Sequence, residues 1–230
     1  MNATPLAGRL ERVREEIAGV QAAHGLRQDV RIVAVTKGHD GDAVRAAHGA
    51  GLVDVGENRV QEALGKRERL GDVPVRWHLI GHLQTNKAKL VPGAFALVHS
   101  VDSTRVADAL AGAVRAVRGE RLPVLLQVNV AGEEQKSGCD PAEAAGIANH
   151  VAGLTELTLE GLMTMAPFTD DEAMQRRAFA GLRGLRDRLA TAAAPLRELS
   201  MGMSGDYRAA VAEGSTMLRL GTVLFGERSA

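Results

Sequence analysis

RIVAVTKGHD (residues 31–40) decides between the two architectures open to this chain. Its first five residues are a short, β-branched run of the kind that forms a buried strand. In an open doubly wound sheet that strand would run into a G-x-G-x-x-G turn. Here it runs into Thr36, Lys37, Gly38, His39 and Asp40 instead. Outward from this point, strand-like runs alternate with segments of helical spacing. Candidate strands begin near Arg31, Leu52, Val75, Phe95, Pro123, Leu157, Arg197 and Met217. Strands separated by helices imply parallel pairing through right-handed crossovers. Eight such units in 230 residues predict an α/β fold, a single (β/α)8 TIM barrel over residues 1–230, a fold usually about 250 residues long.

Upstream of the first strand, Thr4 suits an N-cap and Pro5 the first helical position. Leu6, Leu10, Val13, Ile17 and Val20 then recur at helical spacing up to Gly25, a natural stop. An extra N-terminal helix over about 5–24, packed on the barrel, follows from that spacing. Ser103 caps a segment carrying Val106, Leu110, Val114 and Val117, with Gly119 as its stop. Asp140, Pro141, Ala142 and Glu143 resemble a capping box. Met174, Phe179, Leu182, Leu185 and Leu189 mark the stripe of the longest later helix.

Composition narrows the function. Lys plus Arg and Asp plus Glu both number 28, so the formal charge is zero. A protein working through nucleic-acid phosphates or an anionic membrane would be expected to be basic. The lone Cys139 excludes an intramolecular disulfide framework and a cysteine-rich zinc site. No apolar run approaches the roughly 18 residues of a membrane span. The opening MNATPLAGRLERVREE is charged where a signal peptide is apolar, which predicts a cytoplasmic protein.

In a barrel, reactive side chains gather past the C-terminal ends of the strands. Lys37 follows the first strand directly, so its stem leaves the barrel wall rather than a solvated helix face. A lysine forms a Schiff base only as the neutral amine, so its ordinary pKa of about 10.4 must be lowered by burial or a nearby cation. Arg219, expected across the mouth, supplies such a cation. MGMSGD (201–206) after strand 7 and LGT (220–222) after strand 8 read as a phosphate cradle. Gly202 and Gly205 permit close backbone approach, Ser204 and Thr222 offer hydroxyls, and Gly221 offers an amide. His78 and His82 straddle a strand end without a carboxylate to complete a zinc set, so no metal site is expected. Glu133, Glu134 and Lys136 suit a solvated or lid-like loop, and Tyr207 either meets a ligand or packs. Any one of these residues is also ordinary strand-end or turn chemistry; their joint placement is what marks a site. A lysine beside a phosphate cradle equally suits a Schiff-base aldolase acting on a sugar phosphate without a cofactor.

VGENRVQE (55–62), WHLIGHLQTNK (77–87), LQVNVAGEEQKSG (126–138), LEGLMTMAP (159–167), LSMGMSGDY (199–207) and GSTMLRLGTVLFGER (214–228) together resemble the pyridoxal phosphate homeostasis protein family. The resemblance runs through nearly the whole chain in order. It implies a barrel like the alanine racemase N-terminal domain that carries pyridoxal 5'-phosphate (PLP) as an aldimine on Lys37. Ser204, Gly221 and Thr222 then match phosphate-binding positions, Arg219 faces the pyridine nitrogen, and Asn58 and Met201 lie beside the ring. Family members often read Thr-Lys-Pro or similar at the lysine, whereas Gly38, His39 and Asp40 follow it here.

An arginine cannot accept a proton, so the ring nitrogen it faces stays unprotonated and is a weaker electron sink. Transamination is then disfavoured. Racemisation would need a second base, which alanine racemase takes from a further domain not expected in this chain, and Tyr207 is its sole tyrosine. The resemblance therefore implies a monomeric PLP-binding protein that buffers or delivers the cofactor, influences amino-acid and keto-acid balance, and is not an enzyme of robust turnover. PLP-dependent apo-enzymes are the implied acceptors, and a weak PLP-dependent amino-acid racemase is the alternative.

Overall fold

Both edges of RIVAV are taken. In a computed structural model describing residues 5–133, 137–192 and 194–227, Arg31–Val35 forms β1. One edge pairs with β2 (Asp54–Glu57), Ala34 beside Val55, and the other with β8 (Met217–Leu220), Val33 beside Arg219. Between them run β3 (Arg76–Leu79), β4 (Leu97–Val101), β5 (Leu122–Gln127), β6 (Leu157–Met163) and β7 (Glu198–Ser200). All eight are parallel and close a barrel in chain order. Thr4, Glu134, Lys136 and Arg228 lie outside the described residues.

The expected strand starts hold at Arg31, Leu157 and Met217 and shift by one or two residues elsewhere. Leu52 and Phe95 precede their strands yet are buried. Apolarity reports burial, and burial begins before ladder pairing does.

The N-terminal helix α1 spans Leu6–His24, with Pro5 one position earlier than expected, at the N-cap, and Gly25 closing it at φ 64°. The crossovers are α2 (Gly41–Gly49), α3 (Val60–Leu70), a 3-10 helix (Thr85–Leu90), α4 (Thr104–Val117), α5 (Ala144–Gly153), α6 (Glu172–Leu189) and α7 (Tyr207–Ala212); α8 (Thr222–Phe225) follows β8. Ser103 caps α4 as expected, but the left-handed closing residue is Arg118, one before Gly119. Asp140 accepts from the Ala142 amide in a turn, and α5 starts only at Ala144, so the expected capping box caps that turn. Met174 drops out of the α6 stripe: its amide is spent on the Asp171 cap and its side chain is exposed.

Period-two alternation divides the strands into two faces. Outward residues such as Ile32, Val55, Leu162 and Leu218 join Val44, Leu110 and Phe179 of the helices in one large cluster. Inside, Leu97, Leu125, Met163 and Met217 form a separate small cluster. The rest of the lumen holds the buried polar side chains Asp54, His78, His99, Ser200 and Arg219. A barrel filled by apolar layers alone would need none of them. Among the described residues, no helix is long and apolar enough to cross a membrane.

Candidate functional site

The end of β1 is held rigidly. Thr36 donates its hydroxyl to Glu57 Oε1 at 2.6 Å, and its carbonyl accepts from Lys66 Nζ at 2.7 Å. Lys66 also donates to Glu57 Oε1 at 2.6 Å and to Glu62 Oε1 at 2.9 Å, and Glu62 Oε1 takes the Gly38 amide at 2.8 Å. The residues before and after Lys37 are thus both anchored to the pair Glu62 and Lys66 on α3. Thr36 turns outward to Glu57, and the half-buried Lys37 follows it in the turn that leaves β1. Burial pushes the Glu57 carboxyl above its usual range, against the pull of Lys66 and Thr36.

Arg219 sits on β8, which pairs with β1, so it is a neighbour of the lysine strand rather than a residue across the mouth. It is 4% exposed, and donates from Nη1 to Ser200 Oγ at 2.7 Å and from Nη2 to the Thr164 carbonyl at 2.8 Å. Burial lowers its pKa to about 10, which leaves it a cation at neutral pH.

Two residues on, the same strand end builds the cradle. Ser204 Oγ accepts from the amides of Gly221 and Val223, both at 3.2 Å. Gly202 has φ 97°, and a Cβ there would lie 2.6 Å from that of Ala210, so no other residue fits this turn. Gly205 faces open space, and Thr222 is exposed. A Cβ on Gly221 would lie 3.5 Å from the Val35 carbonyl oxygen, which places the cradle beside the end of β1. Asn58 is half-buried, and its backbone packs on Gly81 so tightly that a Cβ on Gly81 would overlap the Asn58 carbonyl.

One expectation changes, and the structure places the other side chains as follows. Met201, expected beside the ring, is fully buried in the outer hydrophobic cluster, because it continues the outward alternation of Leu199. Tyr207 packs, and its hydroxyl donates to Glu16 on α1. That hydrogen bond lowers the Glu16 pKa, while burial and Glu16 raise the phenol to about 12. His78 is buried in the lumen whereas His82 is exposed beside Asp102, so the two do not converge. Asn129 donates to the Glu133 carbonyl at 2.9 Å within its own loop.

Residues 9–229 match the family model described as "Alanine racemase, N-terminal domain". The chain is 46% identical, over 94% of its length and 91% of the relative's, to the pyridoxal phosphate homeostasis protein of Pseudomonas aeruginosa. The chain belongs to the pyridoxal phosphate homeostasis protein family. The structure of PipY of Synechococcus elongatus with PLP bound superposes at a TM-score of 0.85 with 37% identity, covering 96% of this chain and 100% of that one. Alanine racemase of Clostridium difficile shares the fold at a TM-score of 0.74 and 15% identity, over 98% of this chain and 60% of its own.

In this member of the homeostasis family, the residues that sequence reasoning missed are Glu62 and Lys66. Glu62 and Lys66 look like a routine exposed i,i+4 pair. The overlooked signal is register: Lys66 falls in line with Val60, Ala63 and Leu70, the buried face of α3.

Proposed function

We propose that the chain holds PLP at the C-terminal mouth of the barrel and acts as a reservoir and donor of the cofactor, without robust turnover of amino acids. The carrying observation is the Ser204 hydroxyl set between the Gly221 and Val223 amides, on the strand end that also bears the buried cation Arg219. Ser204, Gly221 and Thr222 take the phosphate ester, Arg219 faces the ring nitrogen, Asn58 lies beside the ring, and Lys37 is the covalent anchor. The Met201 side chain, packed in the outer core, has no part in this assignment. The family name and the PLP-bound PipY structure favour this ligand over a sugar phosphate.

When bound, PLP supplies an aldehyde carbon that condenses reversibly with a primary amine, releasing water. Lys37 offers that amine from a backbone fixed on both sides. Arg219 gives the ring nitrogen a hydrogen-bond donor and keeps its own proton, so the electron sink stays weak. Tyr207, committed to Glu16 with its phenol raised to about 12, is no second base at the mouth. A missing base costs about 10²–10⁴ in rate. Residues 1–230 act as one cytoplasmic, monomeric binding domain that releases PLP to apo-enzymes when an acceptor amine displaces Lys37.

Borohydride reduction of PLP-loaded protein followed by peptide mass analysis tests the anchor. A pyridoxyl phosphate adduct is expected on Lys37 and on none of Lys66, Lys87, Lys89 or Lys136. Lys66 in particular is 2% exposed and spends its ammonium on three acceptors. An unmodified Lys37 would overturn the assignment.

A further inference from the structure

The polar side chains along the barrel axis form one continuous chain. Arg219 Nη1 lies 2.7 Å from Ser200 Oγ, which lies 2.8 Å from His99 Nδ1. His99 Nε2 lies 2.9 Å from His78 Nδ1, and His78 Nε2 lies 2.8 Å from Asp54 Oδ1. Every link is buried, and Arg76 closes the far end with a 2.6 Å bond to Asp54 Oδ2.

Both ends fix the direction of donation. A guanidinium only donates, so Ser200 Oγ accepts from Arg219 and has its own hydrogen left for His99 Nδ1. At the other end, burial raises the Asp54 pKa, but the bonds from His78 and Arg76 outweigh it and hold the carboxyl below its usual range. It is therefore an acceptor, and His78 Nε2 carries a hydrogen. Complete burial, with the Arg219 and Arg31 cations adding repulsion, keeps His99 neutral. One arrangement runs every hydrogen the same way along these contacts: Nε2–H on both imidazoles, with Nδ1 of each accepting. The hydrogens all point from Arg219 toward Asp54, and the Ser200 hydroxyl hydrogen is turned away from the mouth.

We infer that Asp54, His78, His99 and Ser200 form a single polarised hydrogen-bond chain that fixes the orientation of the Arg219 guanidinium, making His99 and Ser200 positioning residues for the cofactor's ring nitrogen. The last clause rests on PLP binding as proposed above; the chain itself does not. With Nη1 held by Ser200 and Nη2 by the Thr164 carbonyl, the guanidinium plane cannot turn, and nothing in the chain can pass a proton through an arginine that accepts none.

His99→Gln keeps one acceptor toward Ser200 and one donor toward His78, whereas His99→Met keeps neither at similar volume. In cofactor-free full-length protein at neutral pH, ¹⁵N spectra should show both histidines as Nε2–H tautomers. Separately resolved Arg219 Nη protons are expected in wild type and His99→Gln, and averaged ones in His99→Met and Ser200→Ala. An Nδ1–H tautomer at His99, or resolved Nη protons in Ser200→Ala, would overturn the chain. In PLP-loaded protein, His99→Gln should keep the wild-type absorption maximum and its pH profile, and Ser200→Ala should shift both. A wild-type spectrum in Ser200→Ala, with the tautomers as expected, would overturn the positioning role alone. Absence of an adduct on Lys37 would instead defeat the proposed function and leave the cofactor-free result standing.

Discussion

Lys66 ties down both neighbours of Lys37, and removing its charge should cost more than its hydrogen bonds alone. In Lys66→Met, Glu57 is left fully buried without its cation, and breaking one side of a buried pair typically costs about 3–5 kcal/mol. Urea unfolding should show that loss, with recovery of a large part of it in Lys66→Met/Glu57→Gln, where no stranded charge remains. Equal instability of single and double variants would mean that the pair contributes only packing. Ser204→Ala separates binding from folding. It removes a hydroxyl whose oxygen accepts from two amides and whose hydrogen is left to donate to the phosphate, and equilibrium titration should show PLP bound about tenfold more weakly, about 1.4 kcal/mol. Pyridoxal, which lacks the phosphate, should bind the variant and the wild type alike. A parallel loss for both ligands would move the phosphate elsewhere.

At the scale of elements, α1 is joined to α7 by Tyr207 and Arg208, which both donate to Glu16. Glu16 is partly exposed, so solvent screens the contact; Tyr207→Phe should lower stability by about 1 kcal/mol in chemical denaturation. A loss several times larger would show that the bond anchors the whole cradle loop. This contact was invisible in the sequence, because Glu16 and Tyr207 are 191 residues apart. Elements set by local spacing were legible: α1, the Ser103 cap and the eight strand-like runs needed only alternation and capping chemistry. Strand edges shifted where buried residues such as Leu52 precede pairing. The strand-end positions of Lys37 and Ser204 were legible from the runs they follow, whereas Arg219 lies within β8, beside β1 rather than across the mouth. Met201 was misjudged for want of its face, and Lys66 for want of its register. His78 showed only as half of a doubtful metal pair; its partners Asp54 and His99 come from other strands.

For the whole molecule, the unusual feature is a parallel barrel whose lumen is part apolar plug and part ionisable chain. The outer cluster carries most of the burial; each fully buried side chain such as Phe179 contributes about 1.5–3 kcal/mol. The lumen makes the total depend on pH. His99 is completely buried with its pKa well below the ordinary 6.5, so the folded state binds its proton more weakly than the unfolded chain does. Stability from this group is therefore fully present above about pH 6.5 and declines as the pH falls, at up to about 1.4 kcal/mol per pH unit. Asp54, also held low, adds a loss of the same sign below its ordinary 3.8. Denaturation midpoints measured from neutral pH down to about pH 5 should fall in the wild type and flatten in His99→Gln, whose amide does not titrate. An equal slope in both proteins would assign the acid limb to other groups and show that the buried imidazole can take up a proton without loosening the barrel.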